Sequence, residues 1–158
     1  MAVRALKLQA GSRYLPPEKY HMTWIFLGEV PDSKVQAVRE VGEAQRLACF
    51  LLRFDRWEYW QGAGTVVAVA RELPEPLVTL RASLAAGLTQ RGVAFDDKPL
   101  RPHITVARKL AQAPVLPKLS EFSCTLRAFS LVSSVTHPSE VIYTVVDTWP
   151  LLDTAARG

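Results

Sequence analysis

A histidine followed two residues later by a threonine occurs twice in the chain, as His21 with Thr23 and as His103 with Thr105. The chain has three histidines, so the two copies account for most of them. In a β-strand, residues i and i+2 point to the same face, so each copy would present one titratable nitrogen and one hydroxyl together. One such pair is common by chance. Two pairs, each after a proline-containing loop, predict a catalytic surface.

This set of side chains suits hydrolysis of a phosphodiester. One imidazole can deprotonate the attacking water while a second, protonated imidazole protonates the leaving oxygen, because the ordinary histidine pKa of about 6.5 permits both forms near neutral pH. The hydroxyls of Thr23 and Thr105 can donate to the non-bridging phosphoryl oxygens as negative charge develops. The scheme requires no metal, and no residues stand at metal-ligand spacing, so we expect neither metal nor cofactor.

Hydrophobic periodicity predicts the elements that position these residues. Predicted strands cover 20–27, 49–60, 65–71, 102–109, 124–133 and 140–149. Predicted helices follow Pro31 and Pro74, and a further helix is predicted to end within 2–9. Strands that follow one another directly favour antiparallel pairing, and interleaved helices cover one face of each sheet, so we expect an α+β fold. The repeated His-x-Thr strands indicate a two-lobed pseudo-duplicate.

The composition limits the classes of protein to which this chain can belong. The 158 residues are 49% hydrophobic and 22% charged, which is typical of a globular domain. No apolar stretch approaches the roughly 20 residues of a membrane span, and no signal-peptide core is evident, so we expect a soluble, cytoplasmic protein. The net charge of +4 suits an anionic substrate. We expect Cys49 and Cys124 to be buried thiols, because neither belongs to a CxxC pair.

Two arginines compete for the role of phosphate ligand. Arg101 alternates in phase with His103, whereas strict alternation places Arg108 on the opposite face. Arg108 reaches the face of His103 only if the strand bends or ends near residue 107. On the strand predicted at 49–60, Tyr59 and Trp60 are candidates for stacking on a nucleobase.

Two segments carry a family resemblance. Residues 21–30, HMTWIFLGEV, resemble the first signature of the two-histidine phosphoesterases, and more narrowly that of the RNA 2′,3′-cyclic phosphodiesterases, also called 2′-5′ RNA ligases. Residues 101–108, RPHITVAR, resemble the second signature. Leu131 to Ser134 with Tyr143 and Trp149 resemble the closing strand pair, so the resemblance spans about Tyr14 to Leu152.

The resemblance implies a bilobal, pseudo-two-fold fold with two antiparallel sheets, helices on the outer faces and a basic groove between the lobes. It implies hydrolysis of a 2′,3′-cyclic phosphate to a 2′-phosphomonoester, with reversible 2′-5′ ligation in some members. His103 would be the base for water and His21 the acid for the leaving oxygen. Thr23, Thr105 and Arg108 would bind the phosphate.

Family members begin with a strand and a helix before the first His-x-Thr, whereas twenty residues precede His21 here. We therefore expect one two-lobed domain over 1–158 without that strand and helix. The expected partner is RNA or a nucleotide with a 2′,3′-cyclic phosphate, with no membrane and no obligate protein partner. A non-catalytic RNA-end binder stays open as an alternative. So does an enzyme of the same class that acts on a small cyclic nucleotide or a 2′,5′-oligoadenylate.

Overall fold

The structure, a computed structural model, describes residues 10–138 and 141–153 together with Leu6 and Leu8. Its strands are β1 (Arg13–Tyr14), β2 (Phe50–Trp60), β3 (Thr65–Ala70), β4 (His103–Arg108), β5 (Phe122–Leu126), β6 (Ala128–Thr136) and β7 (Val141–Pro150). Its α-helices are α1 (Asp32–Glu43) and α2 (Glu75–Gln90), and single 3₁₀ turns cover Pro17–Lys19 and Gln61–Ala63. The predicted α+β class is confirmed. Neither described helix combines the length and apolarity needed to cross a bilayer.

The chain forms two compact units, each built from three stretches. The first unit contains residues up to Trp24, Leu52–Leu73 and Lys98–Cys124. The second contains Ile25–Leu51, Pro74–Asp97 and the chain from Thr125 onward. One sheet has five strands in the order β1-β4-β3-β2-β5, and the other pairs β6 with β7. The pairings recorded between neighbouring strands are antiparallel, as expected.

The centre of the five-stranded sheet is β3, in which all six residues are buried. Its valines and alanines suit a strand with both faces covered, because branched apolar side chains pack well on a pleated surface. The turn that precedes β3 requires glycine at position 64, where φ is +57° and a Cβ would lie 2.8 Å from the Leu110 carbonyl oxygen. This contact joins the turn to the end of β4.

The second unit buries one face of each helix, as the periodicity predicts. Val38 and Val41 of α1 pack with Leu88 of α2 and with Val93. Prolines stand immediately before both helices, a position where their fixed φ is compatible with the first turn. At Gly42 a Cβ would lie 2.5 Å from the Trp149 ring, so glycine lets α1 approach β7 closely.

Two strand predictions are wrong in part. Residues 20–27 form no ladder. Among the described residues, their one bridge joins Phe26 to Asp96, and no described strand pairs with the rest of the segment. The strand predicted at 124–133 is two strands separated by Arg127, since β5 joins the five-stranded sheet whereas β6 pairs with β7. The helix end predicted within 2–9 lies mostly outside the described residues. Leu6 and Leu8, which are described, belong to no helix or strand.

Candidate active site

Both predicted histidines lie in the first unit and make the same backbone contact. Nδ1 of His21 lies 2.8 Å from the Lys19 carbonyl oxygen, and Nδ1 of His103 lies 2.7 Å from the Arg101 carbonyl oxygen. A carbonyl oxygen can only accept a hydrogen bond, so Nδ1 carries the proton in each ring. The nitrogen that can take up or give a proton is therefore Nε2 in both histidines.

The two His-x-Thr copies are held differently. His103 and Thr105 lie in β4, so strand alternation places both half-buried side chains on one face of the sheet. His21 and Thr23 are exposed and lie in the irregular segment that follows the 3₁₀ turn, so alternation does not apply to them. The predicted pairing on one face is thus confirmed for the second copy and stays a prediction for the first.

A β-bulge interrupts β4 at the position that decides where its arginine points. Consecutive residues Val66 and Val67 of β3 pair with Ala107 and Thr105 of β4. Val106 is therefore the extra residue of the bulge. An extra residue shifts the alternation of every side chain beyond it by one position.

The bulge moves Arg108 to the face of His103 and Thr105. Val106 and Ala107 are neighbours in the chain and are both fully buried, which regular alternation on a half-buried strand would not give. Arg108 is half-buried, and its Nε atom is buried without a hydrogen-bond partner among the described residues. Buried polar atoms in native proteins are normally paired, so this guanidinium is suited to an anion.

The end of β4 is fixed immediately after Arg108. Lys109 has a left-handed φ of 62°, and the next residue, Leu110, donates its backbone N–H to the Gly64 carbonyl oxygen at 3.0 Å. The Tyr59 hydroxyl donates to the Leu110 carbonyl oxygen at 3.2 Å. Tyr59 pairs with Val66 and so lies on the face opposite His103. Its contacts assign it to holding this strand end and place it away from the stacking role that we predicted.

Trp60 lies on the His103 face, because it alternates with Tyr59 on β2. The Trp60 and His103 ring centroids are 4.4 Å apart with the planes tilted by 53°. The Arg101 guanidinium carbon lies 5.2 Å from the centre of the Trp60 ring. Trp60 thus has a ring contact with the predicted base and a cation beside it. Stacking of a nucleobase on Trp60 stays a prediction.

Glu58 contacts both Trp60 and Arg101, and we call these three residues together with His103 the Glu58 circuit. One of its carboxylate oxygens, Oε2, accepts hydrogen bonds from Arg101 Nη2 at 2.7 Å and from Trp60 Nε1 at 2.9 Å. The Arg101 carbonyl oxygen is also the group to which His103 Nδ1 donates. Glu58 is therefore linked to His103 by two sets of contacts, one through the Trp60 ring and one through Arg101. The charge of Arg101 is already compensated, which favours Arg108 as the phosphate ligand.

The surroundings of Glu58 stabilise the ionised form of its carboxyl group. Burial alone would raise the pKa of this carboxyl group. The hydrogen bonds from Trp60 and Arg56, together with the charge of Arg101, outweigh burial and hold the pKa below its ordinary value. The sequence reading missed Glu58, although its place two residues before Trp60 on one strand puts both on the same face.

A family model supplies the identification. The model of the 2′-5′ RNA ligase superfamily matches residues 1–138 of the chain. The chain belongs to this superfamily. The Thermus thermophilus RNA 2′,3′-cyclic phosphodiesterase is 34% identical over 151 residues, which cover 89% of this chain and 76% of the relative. The Escherichia coli RNA 2′,3′-cyclic phosphodiesterase is 27% identical over 140 residues, which cover 88% and 80% of the two chains.

A solved structure agrees with this membership. The crystal structure of Escherichia coli LigT complexed with 3′-AMP matches with a TM-score of 0.83 at 26% identity, and it covers 94% of this chain and 86% of LigT. The resemblance inferred from residues 21–30 and 101–108 is therefore confirmed at the level of the superfamily and of the fold.

One further tryptophan, the third histidine and the two cysteines have other surroundings. Trp57 of β2 is buried in the core, and His137, the third histidine of the chain, is exposed beyond the end of β6. Cys49 and Cys124 are free thiols that are half-buried rather than fully buried as predicted, and partial burial raises the pKa of Cys124. Within the described part of the chain, no group of three or more histidine, cysteine or acidic residues is placed to hold a metal ion.

Replacing Glu58 with glutamine should destabilise the protein near neutral pH and not in acid. A carboxyl group with a lowered folded pKa contributes stability above its unfolded value of about 4.3, and this contribution is lost as the pH falls through the folded value. We expect a loss of about 0.5 kcal/mol at pH 7, because the exposed Arg101 is screened by solvent. The free energy of unfolding, obtained by denaturant titration at pH 7 and pH 3, measures this loss. Glu29→Gln is the matched control, and equal stability of wild type and Glu58→Gln at pH 7 would contradict the circuit.

Proposed function

We propose that this superfamily member is an RNA 2′,3′-cyclic phosphodiesterase that forms 2′-phosphomonoesters by metal-independent acid–base catalysis. The observation that carries the proposal is the shared geometry of His21 and His103, in which Nδ1 donates to a backbone carbonyl and Nε2 is left as the working nitrogen. Both relatives described above bear this enzyme's name, which supports the same activity here. LigT in complex with 3′-AMP supports binding of a nucleotide.

In the proposed reaction, Nε2 of His103 takes a proton from water as the water oxygen bonds to phosphorus. The bond between phosphorus and O3′ breaks, and protonated His21 gives its Nε2 proton to O3′. The product keeps the phosphate on O2′. Thr23, Thr105 and Arg108 bind the non-bridging oxygens, whose charge increases in the transition state. With a 5′-hydroxyl in place of water, the same groups would form a 2′-5′ linkage.

The circuit around Glu58 supports the assignment of the base. It holds the His103 ring through Trp60 and fixes the carbonyl that keeps the proton on Nδ1. A base held in one orientation and one tautomer loses less entropy when it accepts a proton from water. Trp60 is also the aromatic residue in contact with His103, so it is the side chain on which the nucleobase of the substrate would stack. We also propose a cytoplasmic location, a compartment in which the free thiols of Cys49 and Cys124 would stay reduced.

The deciding experiment is an assay in EDTA with 2′,3′-cyclic mononucleotides and with RNA that ends in a 2′,3′-cyclic phosphate. We expect turnover of at least one of these substrates without added metal, with the product phosphate on O2′. Product position is assigned by comparison with authentic 2′- and 3′-phosphates. Tight binding without turnover would support the RNA-end binder. If neither cyclic phosphate is hydrolysed and 2′,5′-oligoadenylate, added as a third substrate, is cleaved, the enzyme acts on that substrate instead. Recovery of activity only with a divalent ion would contradict the proposed mechanism.

A further inference from the structure

We propose that Thr65 is a positioning residue for Arg108. Its hydroxyl oxygen accepts a hydrogen bond from Arg108 Nε and so directs the rest of the guanidinium group to the phosphate. The inference rests on the proposed function, because Arg108 is a phosphate ligand of that proposal. It adds a residue of β3, a strand that contains neither of the two His-x-Thr copies.

Thr65 is the polar exception in its strand. The other residues of β3 are valine or alanine, and the whole strand is buried. Thr65 itself is 8% exposed, and it is the one polar residue among those described that is buried as a whole. Valine would pack equally well on a strand, and burial of a hydroxyl costs free energy unless the hydroxyl is hydrogen-bonded. The hydroxyl of Thr65 therefore needs a partner.

The register of the sheet places Thr65 on the face of the candidate active site. Thr65 is the Cα partner of Trp60 in the pairing of β2 with β3, and paired residues share a face. Val67, two positions along β3, is the partner of Thr105 in β4. Because alternate residues of a strand point the same way, Thr65 also shares the face of Thr105.

The same register makes Arg108 the neighbour of Thr65 on β4. Val66 pairs with Ala107, and the next position of this antiparallel ladder brings Thr65 opposite Arg108. Without the extra residue Val106, Ala107 would lie opposite Thr65 instead. Residues directly opposite each other have Cβ atoms about 5 Å apart. The Arg108 Nε atom, which follows Cγ and Cδ along the side chain, can therefore reach the Thr65 hydroxyl.

Arg108 has a donor that needs an acceptor at this position. Its Nε is buried and has no hydrogen-bond partner among the described residues. A phosphate bound by the two terminal guanidinium nitrogens leaves Nε unpaired, and an unpaired buried donor is costly. Rotation about the side-chain bonds of Arg108 brings Nε to the hydroxyl oxygen of Thr65. This hydrogen bond fixes the plane of the guanidinium group, so less entropy is lost when phosphate binds.

The test compares Thr65→Val and Thr65→Ser with wild type. The substrate is adenosine 2′,3′-cyclic phosphate, and binding of adenosine 2′-phosphate is measured by calorimetry. Thr65→Val keeps the branching of the side chain and removes the hydroxyl. We expect it to raise KM and the Kd of adenosine 2′-phosphate about fivefold, the effect of about one ordinary hydrogen bond, with kcat within about twofold of wild type. Thr65→Ser retains the hydroxyl and should restore KM and Kd.

A second background separates positioning from direct contact with the phosphate. Arg108→Lys keeps the positive charge and lacks Nε. In that background Thr65→Val should change the Kd by less than about 1.5-fold, because the interaction it removes is already absent. An equal rise in both backgrounds would mean that Thr65 contacts the phosphate itself. Unchanged KM and Kd in Thr65→Val alone would mean that it has no role in binding, and either result overturns the proposal.

Thr125→Val is the matched control, because Thr125 is an exposed threonine of β5 at the edge of the same sheet. It should leave KM, kcat and Kd unchanged. If wild type binds adenosine 2′-phosphate but hydrolyses no cyclic phosphate, the proposed function fails, while the Kd values still decide the role of Thr65. If wild type does not bind adenosine 2′-phosphate, the phosphate site on which the role of Thr65 depends is overturned.

Discussion

Alanine in place of either His21 or His103 is expected to lower kcat by at least about 10²-fold, the usual cost of losing a general acid or base. Each ring donates a hydrogen bond from Nδ1 to a carbonyl oxygen two residues earlier, which leaves Nε2 as the proton-transfer atom that each alanine variant loses. Steady-state turnover of a 2′,3′-cyclic phosphate in EDTA measures the effect. KM should change far less than kcat, because neither proton transfer occurs in the ground-state complex.

The pH profile separates the two roles. Wild type should show a bell-shaped profile, because the mechanism needs one neutral and one protonated imidazole, and each single variant should lose one limb. The acid variant His21→Ala should regain rate with a substrate whose leaving group needs no proton, whereas His103→Ala should not. His137→Ala provides the control, because His137 is exposed and belongs to the second unit, whereas His21 and His103 belong to the first. Wild-type turnover in either His21→Ala or His103→Ala would exclude the mechanism.

The local elements of the fold could be predicted from the sequence, because their signals are local. Proline before each helix, apolar residues at three- to four-residue spacing and glycine after the second helix predict α1 and α2. The hairpin of β2 and β3 follows from two apolar runs around a glycine-containing turn. The segment at 20–27 shows the limit. Its aromatic and branched residues favour a strand, but a strand also needs a neighbour to share its hydrogen bonds.

The faces of the strands could not be predicted, because they depend on bulges. On β2 the register shifts between Phe54 and Arg56, and buried positions change there from Phe50, Leu52 and Phe54 to Trp57. A bulge is specified by how neighbouring strands pair, which involves residues far apart in the chain. Strict alternation therefore misplaces every side chain beyond it, and Arg108 is the residue for which this matters most.

The sequence predicts candidate reactive groups but not the residues that contact and support them. The two histidines and the two threonines are predicted because their types suggest chemistry and their spacing repeats. Glu58 carries no such signal, since a lone glutamate on a strand is most often solvated. Its role arises only when β2 and β4 are placed in one sheet and Arg101 and Trp60 reach the same carboxylate oxygen.

The second large effect is expected from the phosphate ligands. Valine in place of Thr105 keeps the shape and branching of the side chain and removes the hydroxyl. Loss of one donor to a developing oxyanion should cost about 2.7–4 kcal/mol in the transition state, or 10²–10³ in kcat. Arg108→Gln should instead raise KM for every base alike, because phosphate contacts carry no sequence information. Steady-state kinetics on cyclic mononucleotides of all four bases distinguishes the two patterns.

Two controls show whether these losses come from the phosphate. Thr144→Val makes the same change at an exposed strand position of the second unit and should leave kcat unchanged. Arg101→Gln removes a cation from the same sheet face, but this cation is bound to Glu58. The variant should therefore lose stability at pH 7 and not at pH 3, and its KM should stay close to that of wild type. If instead Arg101→Gln raises KM for all four bases and Arg108→Gln has no effect, the bulge does not set the phosphate ligand. Arg101 would then be that ligand, as regular alternation along the strand predicts.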